Sequence, residues 1–323
     1  MKNLKILVTG GAGFIGSNLV KKLCSCGDEV RVADNLSRGS RKNLKDVLDK
    51  IDLVVTDLTK PKNCLEVSRD VECIFHLAAS VGGIHYIKKE NVEGSTPSIL
   101  MNTNMLEAAR INDIEKFVFA SSACVYQEKS LDLNMFREED AYPANPATTY
   151  GWAKILGEIQ CKAYYLDYGI RTSCARIFNA YGKNESLDPK SSHVTPSFIR
   201  KAINYPRERF TIFGDGRQER AFLYVSDCVD GLRLFLDKIE DGRAVNLGGE
   251  ELISINELGQ KIISISEKSI KEQHDLKGPQ GTHRYCADTT EMKKLLNWKP
   301  MTMLDEGLRK TYAWAEKRIE VDE

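Results

Sequence analysis

Tyr150 and Lys154 are the pair of side chains in this sequence whose types and spacing are best suited to acid–base chemistry. Of the twelve tyrosines, only Tyr150 has a lysine four residues later, and the surrounding segment, TTYGWAKILGEIQCKAYY, has a helical pattern. Residues four apart share one face of a helix, so the lysine ammonium lies near the phenol and favours its ionised form. The pair therefore predicts a tyrosine general base whose pKa is brought towards neutrality. Ser122, at the end of an earlier predicted strand, belongs to the same group.

A glycine-rich segment near the N-terminus predicts a dinucleotide site. In Thr9 to Gly16 the glycines at positions 10, 13 and 16 stand between an apolar strand and a helix. Glycines permit positive φ and close backbone approach to a diphosphate, and the free amides at a helix start attract its charge. With this cofactor, Lys154 can also hold the nicotinamide ribose.

Asp34 ends the second predicted strand, where a carboxylate accepts hydrogen bonds from both ribose hydroxyls of adenosine. It would repel a 2′-phosphate, which favours NAD over NADP, although Arg38 and Arg41 are able to accommodate phosphate. Asp57, after the third strand, is predicted either to contact the adenine edge or to act as a turn residue.

The elements needed to hold these residues follow from the hydrophobic pattern. Short apolar strands at 4–8, 29–34, 52–57, 73–79, 116–123 and 171–178 alternate with helical stretches. This alternation predicts an α/β fold with a doubly wound parallel sheet of Rossmann type. A polar loop after Gly182 marks a smaller α/β substrate-binding domain. We expect a first domain at 1–180, to which 221–248 returns, and a second at 181–323.

Composition excludes several classes of function. The 323 residues include 46 basic and 46 acidic side chains, so no net charge draws the chain to nucleic acid or anionic lipid. The apolar runs are far shorter than the roughly 20 residues that span a bilayer. Nine cysteines, without a CxxC pair or a grouping at metal-ligand spacing, predict reduced thiols in a cytoplasmic protein that binds no metal.

Further motifs extend the pattern over nearly the whole chain: TGGAGFIGSNL, HLAA, SSACVY, YGWAK, RIFNAYG, GDGRQERAF, VSDCVDG, VNLGG and LLNWKP. In this order they resemble the extended short-chain dehydrogenase/reductase family, in its branch of nucleotide-sugar epimerases and dehydratases. Within that branch, VGGIHYI, NMLEAARIN, SSACVY, FIRKA and GPQG are most similar to the 3,5-epimerases. The cofactor contacts that we predict on this basis are Gly10, Gly13, Phe14, Ile15, Gly16, Asp34, Asn35, Asp57, Leu58, Leu77, Ala78, Ala79, Tyr150 and Lys154.

The resemblance implies a catalytic scheme. Tyr150, with Ser122 and Lys154, would remove the proton of the sugar C4 hydroxyl while hydride passes to NAD. The resulting ketone makes the protons at C3 and C5 acidic. Cys124 occupies the position of an acid/base cysteine in the 3,5-epimerases, and a thiol with a pKa near 8.5 suits proton exchange. On the opposite side those enzymes have a lysine, where this chain has His193, which also exchanges protons near neutral pH.

Binding of a nucleotide-diphosphate sugar is expected at Asn179, Arg220 and Arg284, with Gly82 and Gly83 lying close to the hexose. Helices at 104–112 and 152–168 are predicted to build a homodimer. The leading function is an NAD-dependent epimerase that exchanges protons at C5, C3 or both. A 4-epimerase, which needs Tyr150 but not Cys124, is the alternative, followed by a 4,6-dehydratase and by a non-catalytic NAD-binding protein.

Overall fold

Seven short apolar strands form the central sheet. The structure, a computed structural model, describes residues 3–80, 92–127, 135–278 and 283–322. The sheet strands are β1 (Lys5–Thr9), β2 (Glu29–Asp34), β3 (Ile51–Val55), β4 (Cys73–His76), β5 (Lys116–Ser122), β6 (Arg171–Ile177) and β11 (Ala244–Leu247). They are parallel and lie in the order β3-β2-β1-β4-β5-β6-β11. Since the strand order reverses between β1 and β4, as in Rossmann folds, the predicted fold class is confirmed.

Helices cover both faces of this sheet because successive side chains of each strand point to opposite sides. On one face, Ile6 and Val8 of β1 pack in a core with α1 (Phe14–Ser25), α6 (Val225–Lys238) and α8 (Thr290–Leu296). On the other, Leu7 packs in a core with α2 (Pro61–Val67), α3 (Val92–Ile111) and α4 (Thr149–Tyr168). The sheet therefore holds the loops at the carboxyl ends of its strands on a buried, two-sided frame.

A second, smaller layer contains the helices α5 (Val194–Asn204), α7 (Ile255–Ser266) and α9 (Leu304–Asp322). Leu304, Leu308, Tyr312 and Ala315 of α9 lie in its core, on one helix face as their spacing predicts. Its short strands pair as β7 (Ala180–Tyr181) with β10 (Leu223–Tyr224), β8 (Thr211–Phe213) with β13 (Gln273–Asp275), and β9 (Glu219–Ala221) with both β12 (Leu252–Ser254) and β14 (Arg284–Tyr285).

The chain passes between the two layers more than once. After α5, it returns to the large sheet with α6 and β11, which lie within 221–248, and α8 also packs on that sheet. The assignment of 181–323 to a second domain stays a prediction. None of the helices in the described ranges is sufficiently long and apolar to cross a membrane.

Candidate active site

The first two turns of α4 hold Tyr150 and Lys154, with only 8% and 2% of their surface exposed. The helix starts here because the Thr148 side chain accepts a hydrogen bond from the Gly151 amide at 3.1 Å, an N-cap interaction. Gly151 also allows close packing, since a Cβ at this position would lie 2.3 Å from the carbonyl oxygen of Cys124. The start of α4 is thereby held against the chain that leaves β5.

That chain carries Ser122 and Cys124. Strand β5 ends at Ser122 and continues into one 3₁₀ turn, Ala123–Val125, in which the Cys124 amide donates to Ser122 Oγ at 3.1 Å. A hydrogen bond with Ser122 lowers the pKa of Tyr150, and negative charge on Cys124 raises the pKa of both Tyr150 and Lys154. The structure therefore brings the four predicted catalytic residues of these two elements into one cluster.

The pKa of Tyr150 differs from the expectation drawn from its spacing to Lys154. Burial raises this pKa, and charge on Cys124 raises it further, whereas the Ser122 hydrogen bond lowers it only in part. The prediction of a pKa near neutrality was wrong for this chain's own side chains, because burial disfavours the charged phenolate and the spacing to Lys154 does not reveal that burial. Tyr150 therefore holds its proton at neutral pH in this environment.

Lys154 reaches under the cluster. Its Nζ donates to the Ala120 carbonyl at 2.6 Å and lies 5.5 Å from the centroid of the Tyr150 ring. Burial lowers the pKa of Lys154 to about 8, against the raising influence of Cys124 and Glu158. The ammonium is therefore the main form at neutral pH, and it loses its proton under mildly alkaline conditions.

A buried polar chain that sequence reasoning missed joins the glycine loop to α4. Thr9 Oγ1 accepts from the amides of Leu77 and Ala78, both at 3.1 Å, so its own hydrogen must point to His76 Nδ1 at 2.8 Å. The ring then donates from Nε2 to Asn102 Oδ1 at 3.0 Å, and the side-chain amide of Asn102, on α3, donates to the Ala153 carbonyl of α4 at 3.4 Å. Burial and the nearby charge of Lys154 lower the pKa of His76 to about 3, so the ring is neutral. The motif HLAA contained His76 but gave no sign of these partners.

A buried ion pair supports the same elements from below. Glu158, one turn after Lys154, binds Arg176 of β6 through Nε at 2.9 Å and a terminal nitrogen at 2.8 Å. The two side chains are only 3% and 2% exposed. Glu158 also accepts from Ser121, the neighbour of Ser122 on β5. The pair thus joins α4, β5 and β6 beneath the catalytic cluster.

The glycine loop fits the diphosphate of a dinucleotide. Gly10 has φ +67°, and a Cβ at Gly16 would lie 2.2 Å from the Gly10 carbonyl oxygen. Gly13 precedes α1 in an extended conformation, and the first turn of α1 contains no acidic side chain. The first amides of a helix lack acceptors within it, so those of Phe14 and Ile15 are suited to phosphate oxygens.

The other predicted cofactor contacts lie at the carboxyl ends of neighbouring strands. Asp34 is only 8% exposed. Its two carboxylate oxygens accept hydrogen bonds from the amides of Ala12 at 3.0 Å and Leu36 at 2.8 Å, which fixes the orientation of the carboxylate. Asn35 and Asp57 are exposed and bind residues of their own turns, Ser37 and Thr59. Leu58 is buried, whereas three residues that follow β4 are half-buried: Leu77, Ala78 and Ala79. Their contacts with NAD stay predictions.

The predicted substrate residues Asn179, Arg220 and Arg284 come together at β9 and β14. Arg220 pairs in register with Tyr285, and the Asn179 amide donates to the Tyr285 carbonyl at 3.5 Å. Arg284 donates from Nε to a carboxylate oxygen of Glu219 at 2.7 Å. The Tyr285 hydroxyl donates to the Ala123 carbonyl, which connects β14 to the 3₁₀ turn that carries Cys124. Gly82 and Gly83 lie outside the described residues.

His193 lies apart from the catalytic cluster in its hydrogen bonding. It immediately precedes α5, and its Nδ1 is 2.8 Å from Glu185 Oε1. Within the described ranges, no hydrogen bond joins His193 to Ser122, Cys124 or Tyr150. Its role as an acid/base group therefore stays a prediction.

A comparison with protein families decides the class. The model of the "NAD dependent epimerase/dehydratase family" matches residues 6–248, which include the glycine loop and the catalytic cluster. The chain belongs to this family. NAD is accordingly its cofactor, as the geometry of the glycine loop and Asp34 favours.

Similar members of the family are named for different activities. A GDP-mannose 3,5-epimerase of Arabidopsis thaliana is 36% identical over 322 residues, 99% of this chain and 84% of that protein. A putative UDP-glucose 4-epimerase of Methanocaldococcus jannaschii is 34% identical over 96% of this chain and 97% of its own. The crystal structure of a Thermotoga maritima UDP-glucose 4-epimerase with UDP-glucose has a TM-score of 0.90 at 27% identity, covering 98% and 100% of the two chains. The family and its nucleotide-sugar chemistry are common to these proteins, whereas the reacting carbon differs.

Proposed function

We propose that this protein is a nucleotide-sugar epimerase that oxidises its substrate at C4 and then exchanges protons at C5, C3 or both. The observation that carries the proposal is the position of Cys124: its amide donates to Ser122 Oγ at 3.1 Å, and its carbonyl packs against Gly151, the neighbour of Tyr150. Hydride transfer at C4 requires no such thiol, whereas exchange at a neighbouring carbon requires an acid/base group of this kind. The 36% identity to a GDP-mannose 3,5-epimerase supports the same conclusion.

In the proposed reaction, Tyr150 takes the proton of the C4 hydroxyl, and Ser122 and the Lys154 ammonium stabilise the phenolate. NAD, when bound, supplies the hydride acceptor and a positively charged ring. Positive charge beside a buried phenol lowers its pKa, which opposes the effect of burial on Tyr150. The neutral His76, through Asn102, and the ion pair of Glu158 with Arg176 fix the position of α4.

The C4 ketone acidifies the hydrogens on C3 and C5, because the carbanion charge is delocalised as an enolate. Cys124 then exchanges a proton on one face of the sugar and His193 on the other. Asn179, Arg220 and Arg284 would hold the diphosphate, where the guanidinium groups match phosphate oxygens. When hydride returns to C4, Tyr150 gives back its proton.

A nucleotide-sugar 4-epimerase is the second candidate. It is favoured by the 34% identity to a putative UDP-glucose 4-epimerase and by the TM-score of 0.90 to a UDP-glucose 4-epimerase. Such an enzyme returns hydride to the opposite face of C4 and needs Tyr150, Ser122 and Lys154 but not Cys124.

One experiment separates the two candidates. The protein is incubated with GDP-mannose and with UDP-glucose in deuterium oxide, and the product and its labelled carbons are identified by NMR. Label at C5 or C3 that is lost in Cys124→Ala and retained in Cys26→Ala, which changes an exposed thiol, supports the proposal. Inversion at C4 without solvent label, unchanged in Cys124→Ala, supports the 4-epimerase. Tyr150→Phe should abolish both reactions, and full activity of this variant would reject the scheme.

We also propose a homodimer built on α3 and α4. Three apolar side chains on α4 are exposed at helical spacing: Trp152 (47%), Leu156 (37%) and Ile159 (50%). A second copy of the same helices would cover them, as in a four-helix interface.

The nine cysteines, odd in number and without a CxxC pair, support a reducing compartment such as the cytoplasm.

A further inference from the structure

Glu185 is a buried carboxylate that the reaction scheme does not use. Its side chain is 3% exposed, and Oε1 lies 2.8 Å from Nδ1 of His193, whose side chain is 56% exposed. Its second oxygen, Oε2, is buried without a hydrogen-bond partner in the described part of the chain. A buried carboxylate with one unpaired oxygen is unfavourable unless a nearby positive charge compensates for it. The histidine is the group able to provide that charge.

The segment that carries Glu185 is anchored beside the cofactor loop. The Lys183 carbonyl accepts from Asn18 of α1 at 2.9 Å, and the Asn184 amide donates to Ser17 of α1 at 3.0 Å. Both contacts lie on the first turns of the helix that begins at the glycine loop. Glu185 therefore follows directly after a segment that is fixed to the NAD site.

The segment that carries His193 is held separately. Arg200 of α5 donates to the Leu187 carbonyl at 2.9 Å and to Ser192 Oγ at 3.2 Å, and it is itself paired with Glu208. The chain from 187 to 193 is thus fixed at both ends, and the ring of His193 is supported on its Nδ1 side by Glu185.

The charges around the ring set its proton affinity. Burial lowers the pKa of His193, but the hydrogen bond and charge of Glu185 outweigh it, so the net pKa is raised. Arg38, in the loop that follows β2, opposes this effect. Arg38 lies four residues after Asp34, so this opposing charge comes from the loop next to the predicted ribose site.

We propose that Glu185 is the positioning residue of His193, and that it holds Nδ1–H inward so that Nε2 exchanges the proton of the sugar carbon. A carboxylate only accepts hydrogen bonds, so Nδ1 keeps its hydrogen in both charge states of the ring. Nε2 takes the proton from the carbon, the enolate receives one on its other face from Cys124, and both side chains return to their initial states through water. This inference rests on the proposed function. It identifies the Glu185 carboxylate as the charge that stabilises the protonated form of His193, at the position where the 3,5-epimerases have a lysine.

The first test measures the ring itself, without substrate. In protein with ¹⁵N-labelled histidine, His193 is assigned by its loss in His193→Gln, and its titration is followed by NMR in the wild type and in Glu185→Gln. We expect the glutamine variant to lower the pKa of His193 by about one unit, a tenfold loss of proton affinity, and to weaken the preference for Nδ1–H. The control, Asp305→Asn, removes a carboxylate from an exposed ion pair with Lys261 and should leave this titration unchanged. An identical titration in Glu185→Gln and wild type would overturn the proposal.

The second test measures exchange with GDP-mannose in deuterium oxide. We expect Glu185→Gln to reduce label at one of the two carbons at least about tenfold, with C4 oxidation, followed as NADH absorbance, preserved. The loss should be smaller at low pH, where the lowered pKa keeps His193 neutral in the variant but not in the wild type, and the pH optimum should shift downwards with the NMR titration. A parallel loss of C4 oxidation would indicate a structural role and overturn the proposal. Absence of C4 oxidation and exchange in the wild type would instead reject the proposed function.

Discussion

The buried ion pair of Glu158 and Arg176 joins α4, β5 and β6, and its contribution to the free energy of unfolding can be measured. The side chains are 3% and 2% exposed and joined by two hydrogen bonds at 2.8 and 2.9 Å. Replacing Glu158 with methionine leaves the arginine charge buried without its partner, which costs about 3–5 kcal/mol. Arg176→Met leaves the carboxylate unpaired, with a loss of the same order. The double variant removes both charges, so it should lose less stability than either single variant.

Urea unfolding of the four proteins measures these free energies. With a slope at the upper end of the usual range, each single variant should lower the midpoint by roughly 1–2 M. As a control, Asp305→Asn breaks a surface pair, in which Lys261 and Asp305 are 32% and 60% exposed, and should cost less than about 1 kcal/mol. If the loss in the double variant equals the sum of the single losses, the two charges do not interact, and our account of this pair is wrong.

Three further predictions concern the cofactor loop, the buried histidine and the dimer. Gly16→Ala introduces a Cβ 2.2 Å from the Gly10 carbonyl oxygen and should weaken NADH binding at least about tenfold in calorimetry; unchanged affinity would contradict the close packing. The pKa of His76 is lowered to about 3, so stability present above pH 6.5 is lost as the pH falls towards 3, because the unfolded chain takes up the proton first. His76→Gln should reduce this loss, measured as urea midpoints at neutral and acidic pH, and an equal loss in both proteins would argue against a neutral buried ring. Ile159→Glu, which places a charge on an exposed apolar position of α4, should give a monomer in light scattering, whereas an unchanged mass would exclude this face as the interface.

The strands and the catalytic helix were predictable from the sequence because their signals are local. Alternating apolar strands and helices determine a Rossmann-type sheet, and the separation between Tyr150 and Lys154 places them on one helix face. The position of Gly10, Gly13 and Gly16 between a strand and a helix likewise predicts the diphosphate loop.

The partners of buried polar groups were not predictable, since they join distant parts of the chain. His76 binds Thr9 and Asn102, which are 67 and 26 residues away, and neither pairing has a periodic signal. The raised pKa of Tyr150 depends on how completely α4 is buried, which the spacing to Lys154 does not reveal. Glu185 was missed because it lies in a polar loop, where a carboxylate is usually exposed to solvent.

The late arrival of β11 at the edge of the large sheet has a consequence for biosynthesis. Strand β6 ends at Ile177, but its outer neighbour is not made until Ala244–Leu247 is translated. On the ribosome, the open backbone of β6 therefore waits for the intervening segment, and an unpaired strand edge is prone to join other nascent chains. A truncation before residue 244 should accordingly yield aggregated polypeptide, even though it retains the glycine loop and the catalytic helix.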